Sequence, residues 1–374
     1  MPFLLQYMAK ITNFQTKANL WVLVVSTGMA ILMCLTGLML KDFFETPMPA
    51  TLRRAKTKFI FNNSEFCYSP SEEIDHRKNV IVIVLSARSH FKQRNLVRLT
   101  YGSVRTANNV NILRVAFMLG NADGEREEKT DEKHLRAEMK EFGDIVIGDF
   151  VDSYRNLTLK TIMAYEWLKT YCVYADIVVK TDDDVMINIF QLTKMLNEWP
   201  TTQFKSSNIW CMIHSNEKTI EDADSKYYAS REEFPDGIFP NHCSGLAYVT
   251  TMVVIERTLE EIFKSFPGYV CTHEDVFMTA IIPQQINSTS KWFWPTANHI
   301  TLINRRKEWF TYDLEQMKDT LLVNVLRQSA VLLKDVKRIR KRYNETIFYL
   351  VAHTDDYNIL YIRLWQTLQK IFTD

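Results

Sequence analysis

Runs of apolar residues recur along the first half of this chain and predict a series of buried strands. The runs span 79–87, 110–120, 144–150 and 175–184. They are rich in β-branched residues and show no regular alternation with polar ones. This pattern is typical of strands that are covered on both faces of a sheet.

Segments with helical periodicity separate these strands. They span 91–102, 131–142 and 157–171, and Asn156 is the expected N-cap of the last one. Strands that alternate with helices predict an α/β fold, with a parallel sheet and helices on both of its faces. Ligands of open sheets of this kind bind at the carboxyl ends of the strands, so we expect the chemistry there.

A longer apolar segment lies near the N-terminus. Residues 20–40 contain no charged side chain, and a helix of about 20 such residues spans a bilayer. A cleaved signal peptide has a shorter apolar core, so we expect a transmembrane signal-anchor. Lys10 and Lys17 indicate that residues 1–19 form a cytoplasmic tail. A second basic group at 53–58 reduces the charge difference between the two sides of the apolar segment.

The composition narrows the function classes. The 45 basic and 44 acidic side chains give a net charge of +1, which excludes the basic excess typical of nucleic-acid binders. Residues 41–78 are polar and contain prolines, and we interpret them as a stem. The five cysteines beyond the apolar segment show no Cys-x-x-Cys spacing, so they form two disulfides and one thiol or, alternatively, remain buried thiols.

Four glycosylation signals favour a location in the secretory pathway. Each Asn-x-Ser/Thr tripeptide is weak alone, because such tripeptides arise by chance, but four together are compatible with a lumenal body. The acceptor asparagines are Asn62, Asn156, Asn287 and Asn344.

The fourth predicted strand ends in three adjacent carboxylates, Asp182, Asp183 and Asp184. Clustered carboxylates become stable when a hard divalent cation neutralises them, and such a cation can hold a diphosphate. The alternative is a solvated acidic turn. Arg94 and Arg98 share one helical face after the first strand, where they suit a phosphate or form a solvated basic face.

Together these segments resemble the β-1,3-glycosyltransferases of glycosyltransferase family 31. The family patterns are R-x-x-x-R-x-T-W, F-x-L-G, D-F-x-D-x-Y-x-N-L-T-x-K, K-x-D-D-D-x-F-x-N, C-S-G-x-x-Y and E-D-V. They correspond in order to residues 94–101, 117–120, 149–160, 180–188, 243–248 and 274–276. The chain departs from the residues that are usual in the family at five positions, which are Tyr101, Met186, Leu246, Ala247 and Thr279.

The resemblance implies a GT-A fold over residues 79–300, which is Rossmann-like with a mostly parallel central sheet flanked by helices. Residues 301–374 are then a helical extension packed on this domain. It also implies inverting β-1,3 transfer of galactose or N-acetylglucosamine from a UDP-sugar to a glycan on a glycolipid or glycoprotein. The expected location is the Golgi membrane, as a type II protein with a lumenal catalytic domain.

The resemblance also assigns residues to the donor. A divalent metal, Mn²⁺, is expected chiefly on Asp184, with Asp182 and His299 as further candidate ligands. An alternative for His299 is that it only structures its loop. The residues expected on the UDP-sugar are Asp182, Asp183, Lys180, Arg94 and Arg98, of which Lys180 also suits pairing with the aspartates and the arginines also suit bracing of a loop.

On the acceptor side, Asp275 is the expected general base and Glu274 is expected to hold an acceptor hydroxyl. The alternative is that both only cap the helix that follows. Trp292 and Trp294 are candidate sugar platforms or, alternatively, core residues.

Two other function classes stay open at this point. One is a catalytically inactive lumenal relative that binds glycans or acts like a chaperone for another transferase. The other is a membrane-tethered, metal-dependent phosphohydrolase, for which the chain lacks a second convincing group of carboxylates.

Overall fold

The predicted strands are present in the computed structural model, which describes residues 57–63, 65–67, 77–122, 129–200, 202, 207–266, 271–292, 300–303, 309–311, 348–351 and 357–373. All of these residues lie in one compact unit, Arg53–Asp374. The strands are β1 (Phe59–Phe61), β2 (Lys78–Leu85), β3 (Thr106–Ala107), β4 (Val110–Asn121), β5 (Ile145–Val151), β6 (Ile177–Asp182), β7 (Val185–Ile187), β8 (Asn208–His214), β9 (His242–Thr251), β10 (Thr289–Trp292), β11 (Ile300–Ile303), β12 (Trp309–Thr311) and β13 (Phe348–Val351). The four predicted strands correspond to β2, β4, β5 and β6.

The three predicted helices are also confirmed. The helices are α1 (Phe91–Leu99), α2 (Lys129–Phe142), α3 (Leu157–Tyr171), α4 (Ile189–Glu198), α5 (Met252–Ser265), α6 (Glu274–Val276), α7 (Ile282–Gln285) and α8 (Tyr357–Thr373), and a π-helical turn over Phe277–Ile281 joins α6 to α7. Asn156 precedes α3 as predicted, but its side chain does not cap the helix. Its amide instead donates a hydrogen bond to the carbonyl of Val151 at 2.7 Å.

The central sheet is mixed. Its strand order is β1-β5-β4-β2-β6-β9-β8-β10, with β3 paired to β4. β5, β4, β2 and β6 are parallel neighbours, whereas β9 runs antiparallel to both β6 and β8. The expectation of a mostly parallel sheet therefore holds for one half only. No crossover helix is needed between β8 and β9, because a loop alone can join antiparallel strands.

The central strands are covered on both faces, as their composition predicts. In β2, Val80, Val82 and Val84 pack into one hydrophobic cluster, while Ile81 and Ile83 pack into the cluster on the other side. All five are fully buried. Burial of each such side chain contributes about 1.5–3 kcal/mol to stability, so the sheet provides a rigid base for the loops at its carboxyl edge.

A second, four-stranded sheet has the order β12-β11-β13-β7. The segment 301–374 was expected to be helical, but it supplies strands to this sheet as well as α8. The α8 helix packs on α4, where Trp365 and Phe372 stack on Phe190 at ring-centroid distances of 5.6 and 5.9 Å. The buried Tyr361 hydroxyl donates to the carbonyl of Val185 at 3.1 Å, so the C-terminal helix contacts the strand that follows the aspartates.

Two disulfides and one thiol are present among the described cysteines, in agreement with the first of the two alternatives. Cys67 is bonded to Cys172, and Cys211 is bonded to Cys243. Cys271 is a buried thiol. The first bond joins the chain before β2 to the end of α3, and the second joins β8 to β9.

The predicted membrane segment at 20–40 lies outside the described residues, as do the tail at 1–19 and most of the stem at 41–78. Within the part of the chain that the structure describes, no helix combines the length and apolarity that a bilayer crossing requires. The proposed domain boundaries stay predictions.

Candidate functional site

A cleft of about 780 Å³ opens at the carboxyl edge of the parallel strands. β2 pairs with β6 in a register that sets Leu85 opposite Asp182, so both strands end at this edge. The three adjacent aspartates that follow line the cleft, and so does Asp275 from α6. The structure therefore brings together the acidic turn and the expected general base, which are far apart in the sequence.

The three aspartates have different surroundings. Asp183 is 5% exposed and accepts hydrogen bonds from the Ser86 hydroxyl at 2.6 Å and from Nδ1 of His90 at 2.8 Å. Asp182 keeps a side chain that is 35% exposed. Burial raises the pKa of Asp182 to about 7, Lys180 opposes the rise, and the charge of Asp184 adds to it. Asp183 thus fixes the turn, and Asp182 carries negative charge that the protein only partly compensates.

Lys180 connects the acidic turn to the base-bearing helix. Its ammonium lies 3.1 Å from Oδ1 of Asp182 and 3.3 Å from Oε2 of Glu274, and it donates to the carbonyl of Gly245. Burial alone would lower the pKa of Lys180, but the neighbouring carboxylates outweigh burial and the net shift is upward. The side chain is 2% exposed and does not line the cleft. The geometry therefore favours pairing with the aspartates over contact with a nucleotide.

Glu274 is a buried carboxylate next to Asp275. Its Oε1 atom accepts hydrogen bonds from the hydroxyls of Thr161 at 3.0 Å and Tyr248 at 3.1 Å. Burial raises the pKa of Glu274, and Lys180 opposes that rise. Because the side chain is 5% exposed and does not line the cleft, it is not placed to hold an acceptor hydroxyl as expected.

Asp275, the predicted general base, lines the cleft. Its side chain is 33% exposed and lies in the first turn of the helix that begins at Glu274. A Cβ atom on Gly245 would come within 3.1 Å of Asp275 Oδ2, so the glycine leaves room for this carboxylate. The hydroxyl of Thr279 accepts from the backbone N–H of Cys243 at 2.8 Å and donates to the Asp275 carbonyl, which ties the helix to β9.

Arg94 and Arg98 lie outside the cleft, in an ion-pair cluster with α2. Arg94 is fully buried, makes a bidentate contact with Glu138 at 2.9 and 2.7 Å, and donates to the carbonyl of Ala87 at 2.5 Å. Arg98 binds both oxygens of Asp144 at 2.7 Å. Direct contact with a phosphate does not fit this burial. Arg94 instead braces the loop after β2, which was the alternative, through the carbonyls of Ala87 and Arg88. Arg98 ties α1 to Asp144 and Glu138.

A buried lysine braces the same loop from the other side. The Lys160 ammonium donates to the Ser86 carbonyl and to Oδ1 of Asp152, both at 2.7 Å. Oδ2 of Asp152 accepts from the backbone N–H of Gly120 at 2.8 Å. A Cβ atom on Gly120 would lie 2.8 Å from the Asp152 backbone, so this close approach requires glycine.

Several residues of the cleft were not foreseen from the sequence. They come from three separate segments, and no spacing rule connects them. His214, Glu217 and His242 lie beside Asp275, with His242 Nε2 4.0 Å from Asp275 Oδ2 and 3.5 Å from Glu217 Oε2. The others are His90, Tyr154, Lys226 and Tyr227.

The remaining predicted residues fall into two groups. His299, Trp294 and Asn344 lie outside the described residues, and Trp292 is the last residue of β10. The other asparagines of the glycosylation signals are described. Asn287 is exposed, whereas Asn62 and Asn156 are half-buried, and Asn62 accepts a hydrogen bond from the indole of Trp167.

The acidic turn fits a hard cation only if other ligands complete its shell. Among the described residues, no group of three or more His, Cys, Asp or Glu side chains is arranged to hold a metal alone. The oxygen donors of Asp182 and Asp184 are the type that Mn²⁺ and Mg²⁺ prefer, and such cations commonly combine one or two carboxylates with substrate phosphates.

Comparison with known proteins agrees with this geometry. A family model described as Galactosyltransferase matches residues 92–287. UDP-GalNAc:beta-1,3-N-acetylgalactosaminyltransferase 1 of Mus musculus is 35% identical over 187 residues, which are 50% of this chain and 55% of that protein. Beta-1,3-galactosyltransferase 5 of Homo sapiens is 34% identical over 200 residues, 53% of this chain and 61% of that protein. The chain thus spans little more than half the length of these relatives.

A solved structure, of the galactosyltransferase LgtC with donor and acceptor sugar analogs, has 10% sequence identity and a TM-score of 0.31. The match covers 79% of this chain and 96% of that one. A likeness this weak supports no inference.

Proposed function

We propose that this chain, which belongs to the galactosyltransferase family, is an inverting β-1,3-hexosyltransferase with a GT-A fold that uses a UDP-sugar donor. The observation that carries the proposal is the single cleft that Asp275 shares with the turn Asp182–Asp184. The two relatives are named for galactose and for N-acetylgalactosamine transfer. We therefore keep the donor at the level of a UDP-hexose. UDP-galactose and UDP-N-acetylgalactosamine are candidates from these names, and UDP-N-acetylglucosamine is a candidate from the sequence resemblance.

Asp275 acts on the acceptor in this proposal. Its carboxylate takes the proton from the acceptor hydroxyl as the oxygen forms a bond to the anomeric carbon of the donor sugar. The bond from that carbon to the diphosphate breaks, and UDP leaves with the bonding electron pair. Attack from the face opposite UDP inverts the anomeric configuration. Gly245 leaves room for the carboxylate at the cleft wall, and Thr279 holds the Asp275 backbone through its carbonyl.

The turn Asp182–Asp184 acts on the donor. Asp184 and Asp182 would hold a divalent cation, with Mn²⁺ as our candidate, and His299 is a further candidate ligand. When bound, the cation supplies Lewis-acid stabilisation of the leaving diphosphate. Lys180 keeps the turn at a fixed distance from the Asp275 helix, because its ammonium contacts both Asp182 and Glu274.

We place the catalytic domain in the lumen of the Golgi, behind a type II membrane anchor at 20–40. Two disulfides among the described residues support an oxidising compartment. The four glycosylation signals also support this location. The acceptor is then a glycan on a glycolipid or a glycoprotein.

A donor screen with the full chain in detergent tests the proposal. UDP-galactose, UDP-N-acetylglucosamine, UDP-N-acetylgalactosamine and UDP-glucose are each supplied with Mn²⁺ or with EDTA, and UDP release and sugar transfer to a glycan mixture are measured. Mn²⁺-dependent transfer from one UDP-hexose is the expected result. Binding of UDP-sugars without turnover would favour an inactive relative, and activity on simple phosphomonoesters would favour a phosphohydrolase.

A further inference from the structure

Two tyrosines and a lysine form an open group in the cleft. The rings of Tyr154 and Tyr227 are perpendicular, with centroids 5.4 Å apart. Tyr154 is 42% exposed and Tyr227 is 45% exposed. The Lys226 ammonium lies 4.9 Å from the Tyr154 centroid and 4.7 Å from the Tyr227 centroid. All three residues line the cleft that contains Asp275. We call Tyr154, Lys226 and Tyr227 the tyrosine–lysine group.

The backbone around this group is tied to the Asp275 side of the cleft. Arg155 donates to the carbonyls of Tyr228 at 3.3 Å and Ser225 at 3.4 Å. Nε2 of His273 lies 3.2 Å from the Tyr228 carbonyl, and His273 is separated from Asp275 by one residue. The loop that carries Lys226 and Tyr227 is therefore attached to the segment that carries the expected base.

The exposed rings are suited to a sugar. Large aromatic side chains are usually covered, whereas a flat exposed ring beside a polar cleft can pack against the C–H face of a pyranose. Two perpendicular rings present one face and one edge, so they define the orientation of a bound sugar as well as its position. The Tyr154 pKa is raised by burial and by Tyr227, and also by the charges of Asp275 and Asp182, so this ring lies in the field of both carboxylates.

The lysine adds a charge preference. Among the described residues, no carboxylate forms an ion pair with Lys226, whose ammonium contacts the two rings. A cation held over two aromatic faces stays partly desolvated, and it is available to an anionic group on a ligand. The buried Lys160 and Lys180, by contrast, already contact Asp152 and Asp182.

We propose that the tyrosine–lysine group is the acceptor subsite and that it prefers a sugar ring bearing an acidic substituent, such as a hexuronate. The proposal rests on the proposed function, because it assigns the substrate that Asp275 deprotonates. The acceptor must reach Asp275, and the group is attached to that side of the cleft. The donor diphosphate belongs with the turn Asp182–Asp184.

The test uses the full chain in detergent with its preferred UDP-sugar and a pair of aryl glycosides, a glucuronide and the matching glucoside. The two acceptors differ only in a carboxylate against a primary alcohol. We expect kcat/KM to be about two- to fivefold higher for the glucuronide, which is the range of one partly exposed ion pair. Lys226→Met should bring this ratio close to one, while Lys218→Met, on the same exposed loop but outside the cleft, should leave the ratio unchanged.

Tyr227→Leu tests the ring separately from the charge. It should raise the KM of both glycosides about tenfold, because the sugar loses the aromatic face against which it packs. The KM of the UDP-sugar should not change. If either variant raised the KM of the UDP-sugar and left the KM of the glycosides unchanged, the group would be assigned to donor binding. That result would overturn the inference.

Calorimetry of both glycosides with the UDP-loaded chain separates this inference from the proposed function. Absence of transfer and of UDP release with every donor would reject the proposed function, whatever the glycosides do. Equal binding of glucuronide and glucoside, or binding that Lys226→Met does not alter, would reject the acidic-acceptor subsite even in an active transferase.

Discussion

At the scale of single residues, the site depends on which carboxylates are compensated by the protein and which are not. Glu274 has a lysine and two hydroxyls around its buried carboxylate, whereas Asp275 beside it faces the cleft. The two adjacent acids therefore have separate tasks. Glu274 holds the framework, and Asp275 is available to a substrate proton.

Asp275→Asn tests the base assignment. The amide has nearly the same shape but cannot accept the acceptor proton, so kcat should fall by about a hundredfold or more. Binding of UDP, measured by calorimetry, should stay nearly intact, because the turn Asp182–Asp184 is unchanged. Asp236→Asn, on the exposed loop before β9, is the matched control and should retain full turnover. Unchanged turnover of Asp275→Asn would refute the assignment.

Lys180→Met tests the link between the turn and the base. Removal of the ammonium leaves the buried Glu274 carboxylate without its cation, and breaking a buried pair in this way costs about 3–5 kcal/mol. We expect that loss in the free energy of unfolding, measured by urea denaturation. The double variant with Glu274→Gln should recover part of it, because the uncompensated charge is then absent. Additive losses in the double variant would show that the two side chains are not coupled.

At the scale of elements, the alternation of apolar runs and helices sufficed to predict β2, β4, β5 and β6 and the helices between them. It could not predict that β9 enters the sheet antiparallel, because the strand direction depends on the path of the loop at 215–241. It also could not give the role of Arg94. Helical spacing places Arg94 and Arg98 on one face, but only the fold shows that α2 supplies Glu138 to that face.

The C-terminal helix α8 offers an element-scale test. Tyr361→Phe removes the hydrogen bond to the Val185 carbonyl, directly after the acidic turn. The unfolding free energy should fall by about 0.5–1.5 kcal/mol, and the dissociation constant for Mn²⁺ in the presence of UDP should rise because the turn is less firmly held. Thr367→Val, at a half-buried position of the same helix, is the control. A stability loss with unchanged Mn²⁺ affinity would limit Tyr361 to a structural role.

At the scale of the whole molecule, the Cys67–Cys172 bond closes a sequence separation of 105 residues across the parallel half of the sheet. A loop of that length constrains the unfolded chain strongly, so we expect the variant Cys67→Ser/Cys172→Ser to lose about 2–5 kcal/mol of unfolding free energy. Chemical denaturation of the oxidised chain and of the variant measures the difference. Cys271→Ser, which alters only a buried thiol, serves as the comparison, and equal stability of the double variant and the parent would contradict the prediction.

The sequence could name Asp182, Asp183, Asp184 and Asp275 because contiguous motifs carry them. It could not assemble the tyrosine–lysine group or the residues His214, Glu217 and His242. The pairing of β8 with β9 sets His214 opposite His242, and Tyr154 comes from a distant segment. Contacts between distant segments depend on the whole fold. The residues proposed to set specificity therefore emerge from the structure, whereas the residues of the proposed chemistry are readable from local pattern.

Two half-buried histidines, His214 in the cleft wall and His273 next to Glu274, predict the response of the whole molecule to acid. Burial lowers the pKa of His273 and of His214, although nearby carboxylates oppose the shift in both. The unfolded chain, with histidine pKa values near about 6.5, then binds more protons than the folded chain as the pH falls. Their contribution to stability is present above that pH and is lost as the pH falls through the lower pKa values of the folded state.

Urea denaturation should therefore show lower unfolding free energy at pH 5.5 than at pH 7.5. His273→Gln, which keeps an N–H for the Tyr228 carbonyl but cannot titrate, should make this dependence shallower, and an unchanged slope would exclude His273 as a source of it.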